Sequence, residues 1–123
     1  MIRNSWGQKI EVGTFVYRGA RLGNSSDYKA GVVESIKDGK PRVRWLYRSN
    51  GRWIKIDGER ILVPYVYEVG RASLGVPPLE SIVVADFDLE RLERLAAIHK
   101  EFPKDIEFTD MEDYYNFLDN YIP

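Results

Sequence analysis

The 123-residue chain contains no cysteine and a single histidine, His99. The first absence excludes a disulfide framework, thiolate catalysis and cysteine-based zinc sites. The second leaves little for acid–base chemistry. A Ser-His-Asp arrangement needs a base held between nucleophile and orienter, and His99, between Ile98 and Lys100 in a predicted helix, has no such spacing around it. No apolar run approaches the ~18 residues of a membrane-crossing helix. The first residues, Met1-Ile2-Arg3-Asn4-Ser5-Trp6, lack the apolar core of a secretion signal. Gly23-Asn24-Ser25-Ser26 lacks the following helix and the lysine of a phosphate-cradling loop. The expectation is a soluble, cytoplasmic, non-enzymatic protein with no membrane partner, no metal and no cofactor. Its length suits one ordinary domain, or a small domain with an appendage.

Charge is unevenly spread. Residues 1–75 carry 14 Lys and Arg against 7 Asp and Glu, whereas residues 76–123 carry 4 against 12. A basic first part joined to an acidic second part suggests an anionic partner for the former, or mutual neutralisation within the fold. The same boundary is the expected division of the chain, with a basic β domain over 1–75 and an acidic helical region over 76–123 packed on it.

Residues 9–69 read as five short strands. Lys9 to Arg18 is the first, and composition makes Gly19 to Asp27 a loop. Tyr28 to Lys37 is the second strand; Asp38-Gly39 turns it onto Pro41 to Arg48. Asn50-Gly51 is the strongest short hairpin signal, because a type I′ turn needs positive φ at both central residues. It predicts a reversal into Arg52–Asp57, followed by another at Asp57-Gly58 into Arg60–Val69, where Pro64 weakens the strand. In the third strand Val43, Trp45 and Tyr47 alternate with Arg42, Arg44, Leu46 and Arg48. In the fourth, Ile54 and Ile56 oppose Arg52, Trp53, Lys55 and Asp57. The apolar sets face a core, so Arg42, Arg44, Arg48 and Lys55 share an outer face with Trp53 beside them. Gly13 and Gly31 are candidate bulges.

Gly70 to Pro78 reads as a connector and Ser81 to Ala85 as a short added strand. Asp86 or Asp88 caps a helix to about Glu101, with Leu89, Leu92, Leu95, Ala96, Ile98 and Phe102 as its stripe. Asp86 and Asp88 form a D-x-D pair that binds divalent metal in some enzymes; at a helix start, capping is the better reading. Thr109 with Glu112 has the capping-box spacing. Met111, Tyr114, Tyr115, Leu118 and Ile122 then share one face of a last helix.

Val12-Gly13-Thr14-Phe15-Val16-Tyr17, Tyr28-Lys29-Ala30-Gly31-Val32-Val33 and Val43-Arg44-Trp45 resemble the repeating Gly-and-Val strands of SH3-like small barrels, in particular the KOW and Tudor-like branches. The likeness covers about half the chain. Thr14 stands where KOW sequences usually carry an acidic residue. The whole chain also resembles small uncharacterised proteins of actinobacterial phages that pair such a barrel with an acidic Leu-rich tail, which would place it in the host cytoplasm. The resemblance implies a mainly β, α+β fold: a five-stranded SH3-like barrel followed by two helices. It also implies binding through loops and an exposed sheet face, with a ligand the fold does not choose.

Three function classes follow. In a nucleic-acid-binding module, Arg42, Arg44, Arg48, Arg52 and Lys55 contact DNA or RNA phosphates, Trp53 or Tyr47 stacks a base, and Arg18, Arg21 and Lys29 grip backbone beside the first loop. In a protein-interaction module, an inhibitor or adaptor, barrel aromatics or helix faces dock a partner, since Trp, Tyr and Arg are enriched at interface hot spots. Tyr17, Tyr28, Tyr47 and Trp53 would form an aromatic cage only if they converge. An enzyme has the least support. The acidic residues Asp105, Glu107, Asp110, Glu112, Asp113 and Asp119 read as a solvated helix face, or as a competitor for the basic strands. Edge strands and apolar helix faces leave the oligomeric state open.

Overall fold

The computed structural model describes residues 1–22, 25–86, 88–103 and 105–121, without the side chains of 20–22, 25 and 26. Among the described residues eight strands form: β1 (Ile2–Arg3), β2 (Lys9–Ile10), β3 (Phe15–Leu22), β4 (Ser25–Lys37), β5 (Lys40–Ile56), β6 (Glu59–Gly75), β7 (Val83–Val84) and β8 (Glu107–Phe108). The same residues form two α-helices, α1 (Leu89–Lys100) and α2 (Met111–Asn120), giving a mainly β, α+β fold. β1 and β2 pair by themselves; the other strands run in the order β6-β5-β4-β3-β7, with β8 on β5. Among the described residues no sheet closes on itself, so the structure has an open sheet where the sequence suggested a five-stranded barrel. No described helix is long and apolar enough to cross a membrane.

The largest departure is at Asn50-Gly51. β5 runs straight through it, and the reversals at its two ends lie at Asp38-Gly39 and Asp57-Gly58. Both Asp-Gly pairs have positive φ at each residue, as a type I′ turn requires. Asn50 and Gly51 do not. Burial along β5 shows what happens instead. Val43, Trp45 and Tyr47 are buried at odd positions, and Ile54 and Ile56 at even ones. The buried face therefore switches between Tyr47 and Ile54. A strand keeps one parity unless an irregularity intervenes, and Asn50-Gly51 lies in the stretch that absorbs the switch. β6 is likewise unbroken through Pro64, which is tolerated at the outermost strand because it removes a donor the sheet does not need there. β6 also occupies most of the supposed connector, and β3 and β4 take up 19–22 and 25–27 of the supposed 19–27 loop.

The chain divides into two compact units that do not follow the charge boundary. The first comprises Met1–Arg48 and Glu68–Phe87, the second Ser49–Tyr67 and Asp88–Pro123. In the first unit Ile10, Val16, Val33, Val43, Trp45 and Ile82 form the core. β7 joins it by pairing with β3, Val16 opposite Val84 and Tyr17 opposite Val83. Gly13, at φ 92°, separates β2 from β3, and its N–H bonds Val33 O at 2.8 Å. Buried Asn4 ties the N-terminal turn down: its Nδ2 donates to Ile82 O at 3.0 Å and its Oδ1 accepts from the Trp6 and Gln8 N–H groups.

The second unit has its own core of Ile54, Ile56, Val63, Phe108 and Tyr114. Asp88 caps α1 by accepting from Arg91 N–H. Asp110, rather than Thr109, caps α2 by accepting from Asp113 N–H, while Thr109 bonds the Asp113 carboxylate. Ala96 and Ile98 are the buried members of the α1 stripe. On α2, Phe117 belongs to the apolar set and Tyr115 is exposed. Ile122, expected on that stripe, lies outside the described residues. The acidic C-terminal segment thus supplies core residues to its unit.

Candidate functional site

The first unit carries 11 Lys and Arg against 7 Asp and Glu, so it is the basic one. Two of its cations meet where β3 pairs with β4. Arg18 and Lys29 are direct cross-strand partners. Such partners share a face, and two steps along that face stand Val16 and Gly31, both buried. Arg48 also acts on this place. The Lys29 ammonium is held below its ordinary pKa by burial first, then by the Arg48 and Arg18 charges, with Asp27 pulling the other way. The Arg48 and Arg18 charges thus both act on Lys29, against a single carboxylate, Asp27. Like charges directly opposite one another destabilise a sheet, which makes the arrangement costly without an anion.

Asp27 does not cancel the cluster. It is 2% exposed; Oδ1 accepts from Tyr28 N–H at 2.8 Å, while Oδ2 has no hydrogen-bond partner. Arg18 Nε is also buried without one. Buried polar atoms are normally satisfied, so two orphans in one cluster are unusual.

The other expected site residues separate. Arg42, exposed, and Arg44 and Arg48, partly exposed, alternate with the buried Val43, Trp45 and Tyr47, as their spacing predicts. Arg44 is bridged to Glu34 at 2.8 Å, a surface pair of small worth. Tyr47, 8% exposed, belongs to the buried row and offers no ring face for stacking, which corrects that expectation. Tyr28 is exposed instead, and its ring covers the Gly19 position. The Arg21 side chain lies outside the described residues.

Arg52, Trp53 and Lys55 belong to the second unit. Arg52 is turned inward, a correction to its place on an outer basic wall. Its guanidinium carbon lies 4.0 Å above the Phe102 ring, and Nη1 is 3.3 Å from His99 O and 3.4 Å from His99 Nδ1. Trp53 is 56% exposed, with Arg60 over its ring at 5.0 Å. Lys55 is exposed and in register with Glu107. Arg52, Trp53, Lys55 and Arg60 help line a cleft of about 310 Å³ that also admits Asp105 and Glu107, so its charge is mixed. Among the described residues no His, Asp and Glu group is arranged to hold a metal.

His99 is the residue that sequence reasoning undervalued. It is half-buried, 4.6 Å from the Tyr65 ring and stacked on Phe102 at 6.1 Å. Burial, then the Arg52 charge, push its pKa from 6.5 down to about 4. The unfolded chain takes up a proton near pH 6.5 that the folded chain refuses until about pH 4. The contribution is therefore intact above that upper value and is lost progressively as pH falls from 6.5 to about 4. Discounted for the ring's partial exposure, the loss is roughly 1–2 kcal/mol. The fall in urea midpoint from neutral pH to about pH 4 should be smaller in His99→Gln than in the parent; an equal fall in both would refute the assignment.

No family model, curated protein or solved structure matches the chain.

Proposed function

We propose that the protein is a non-enzymatic nucleic-acid-binding module whose first unit grips phosphates through Arg18, Lys29 and Arg48. The observation that carries this reading is the cross-strand pairing of two cations, Arg18 and Lys29, within reach of the Arg48 charge. A phosphate would relieve the repulsion. Arg52 takes no part, because its guanidinium is engaged within its own unit. Release of condensed counterions would make binding strongly salt-dependent.

The test is fluorescence anisotropy with labelled single-stranded DNA and RNA oligonucleotides across a salt series. Neutralising the cluster (Arg18→Gln, Lys29→Gln, Arg48→Gln) is expected to weaken binding at low salt by at least about tenfold. The slope of log K against log salt should fall by about 2, near 0.7 per lost single-strand phosphate contact. A control with the same charge change at exposed sites (Arg3→Gln, Lys37→Gln, Lys40→Gln) should retain more of both. Equal losses in the two variants would assign the effect to net charge. No binding at low salt sinks the reading and leaves a protein partner, docking on exposed aromatics such as Trp6, as the alternative.

A further inference from the structure

Trp6 is the most exposed large apolar side chain among the described residues, at 80%. Its ring adds little to the first core, yet its backbone is closely held. Asn4 N–H donates to Gln8 O at 3.2 Å, Gly7 N–H to Asn4 O at 3.1 Å, and Arg3 Nη1 to Gly7 O at 3.3 Å, which closes a turn around it. Gly7 takes φ 75°, a conformation that side chains resist. The buried Asn4 side chain accepts from Trp6 N–H and donates to Gln8 Oε1 at 2.8 Å. Single exposed apolar residues are commonplace. One fixed on a turn with this many bonds is held in a defined place.

That place adjoins the cation pair of β3 and β4, within the first unit. Gln8 Oε1 accepts from Val84 N–H at 2.9 Å, and Asn4 Nδ2 reaches Ile82 O. β7 lies on β3 with Val84 opposite Val16 and Val83 opposite Tyr17. Ile82 is itself extended, at φ -108° and ψ 145°, so the same register carried one step on sets it level with Arg18. Neighbouring strands lie ~4.8 Å apart. Asn4 is therefore bonded to the chain beside Arg18, and Trp6 is two residues further along. A few nucleotides of extended strand cover that separation.

We propose that the ligand is a single strand and that Trp6 is its stacking platform. A phosphate sits at Arg18 and Lys29 while an unpaired base of the same strand lies on the indole. The inference rests on the phosphate-binding reading and adds to it the class of nucleic acid. Every base has a π-face, so an exposed tryptophan accepts any of them. In a duplex those faces are covered by neighbouring pairs, whereas cations alone take either form.

The test is fluorescence anisotropy on the full chain with labelled oligothymidylate, an abasic strand of the same length and a duplex. The parent should bind oligothymidylate at least about fivefold more tightly than the abasic strand, the low end of what one base–aromatic stack contributes. Trp6→Ala should lose that margin and Trp6→Phe should keep part of it. Neither should change the affinity for the abasic strand or the duplex. The salt slope should be the same in all three proteins, because the indole carries no charge. With so exposed a ring, the urea midpoints of both variants should match the parent's. In the parent, saturating oligothymidylate should quench part of the tryptophan emission, and Trp6→Phe should abolish that part. Salt-dependent binding that is indifferent to the bases in the parent, or that Trp6→Ala leaves unchanged, overturns this inference and leaves the phosphate grip standing. So does a Trp6→Ala loss of equal size on the abasic strand. No binding to any of the three probes overturns the inference together with the reading beneath it.

Discussion

Gly31→Ala is expected to cost about 3 kcal/mol or more. A methyl group there would enter the β5 backbone, closing on the Arg44 carbonyl oxygen and coming within 2.8 Å of Arg44 C and 2.9 Å of Trp45 Cα. A flexible side chain could turn aside from such a contact; peptide atoms cannot without moving a strand. Gly31 is also opposite Val16 and two residues from Val33, both 0% exposed, so movement is transmitted to the first core. Overpacking typically costs about 1–3 kcal/mol when side chains can adjust, and here the obstacle is backbone. Against a total of about 5–15 kcal/mol for a domain, this is a large fraction. The urea midpoint, read by tryptophan fluorescence with Trp45 buried in that core, should fall sharply. Gly19→Ala is the control, since its nearest neighbour is Tyr28 Cε1 at 3.9 Å. It should leave the midpoint nearly unchanged. A Gly31→Ala midpoint equal to the parent's would mean that β4 and β5 are not so closely apposed.

Local patterns were legible where a single neighbour decides the outcome. The alternation of Arg42 to Arg48 against Val43, Trp45 and Tyr47 needs only one buried face, and the structure has it. Asp88 stands at the α1 N-terminus because a carboxylate there accepts an orphan N–H. Asn50-Gly51 misled because its turn preference is local, whereas the continuation of β5 is set by what Ile54 and Ile56 can bury. The same isoleucines pack with Phe108 and Tyr114, residues more than fifty positions away. The charge boundary misled for a related reason. Linear sequence assigns Arg52 to the basic half, but β5 continues into the second unit, where Arg52 meets His99 and Phe102. The Arg18–Lys29 pairing rested on strands extending into a segment whose composition reads as loop. Burial of Asp27 had no signal in the sequence at all.

Phe108→Ala should produce the second large effect, a loss of about 3–5 kcal/mol. β8 is only two residues long, so pairing alone does not hold it. It runs parallel to β5 with Phe108 opposite Ile56, and Asp57 N–H donates to Phe108 O at 2.8 Å. The ring is 2% exposed and meets Tyr114 and Phe117 edge-on, with centroids 5.3 Å and 5.4 Å away. Truncation would remove both contacts and leave a cavity bounded by strand and helix, whose neighbours can collapse only partly. Phe108→Leu keeps most of the volume and should cost much less, which separates cavity formation from loss of aromatic geometry. Circular dichroism at 222 nm follows both helices, including α2, whose buried Tyr114 ties it to that core. The helical signal of Phe108→Ala should therefore melt at lower urea than that of Phe108→Leu, and both below the parent. If the alanine variant melts within about 1 kcal/mol of the parent, Phe108 is not the keystone of the second core, and the acidic segment from Asp105 onward would revert to an appendage that the β strands do not need.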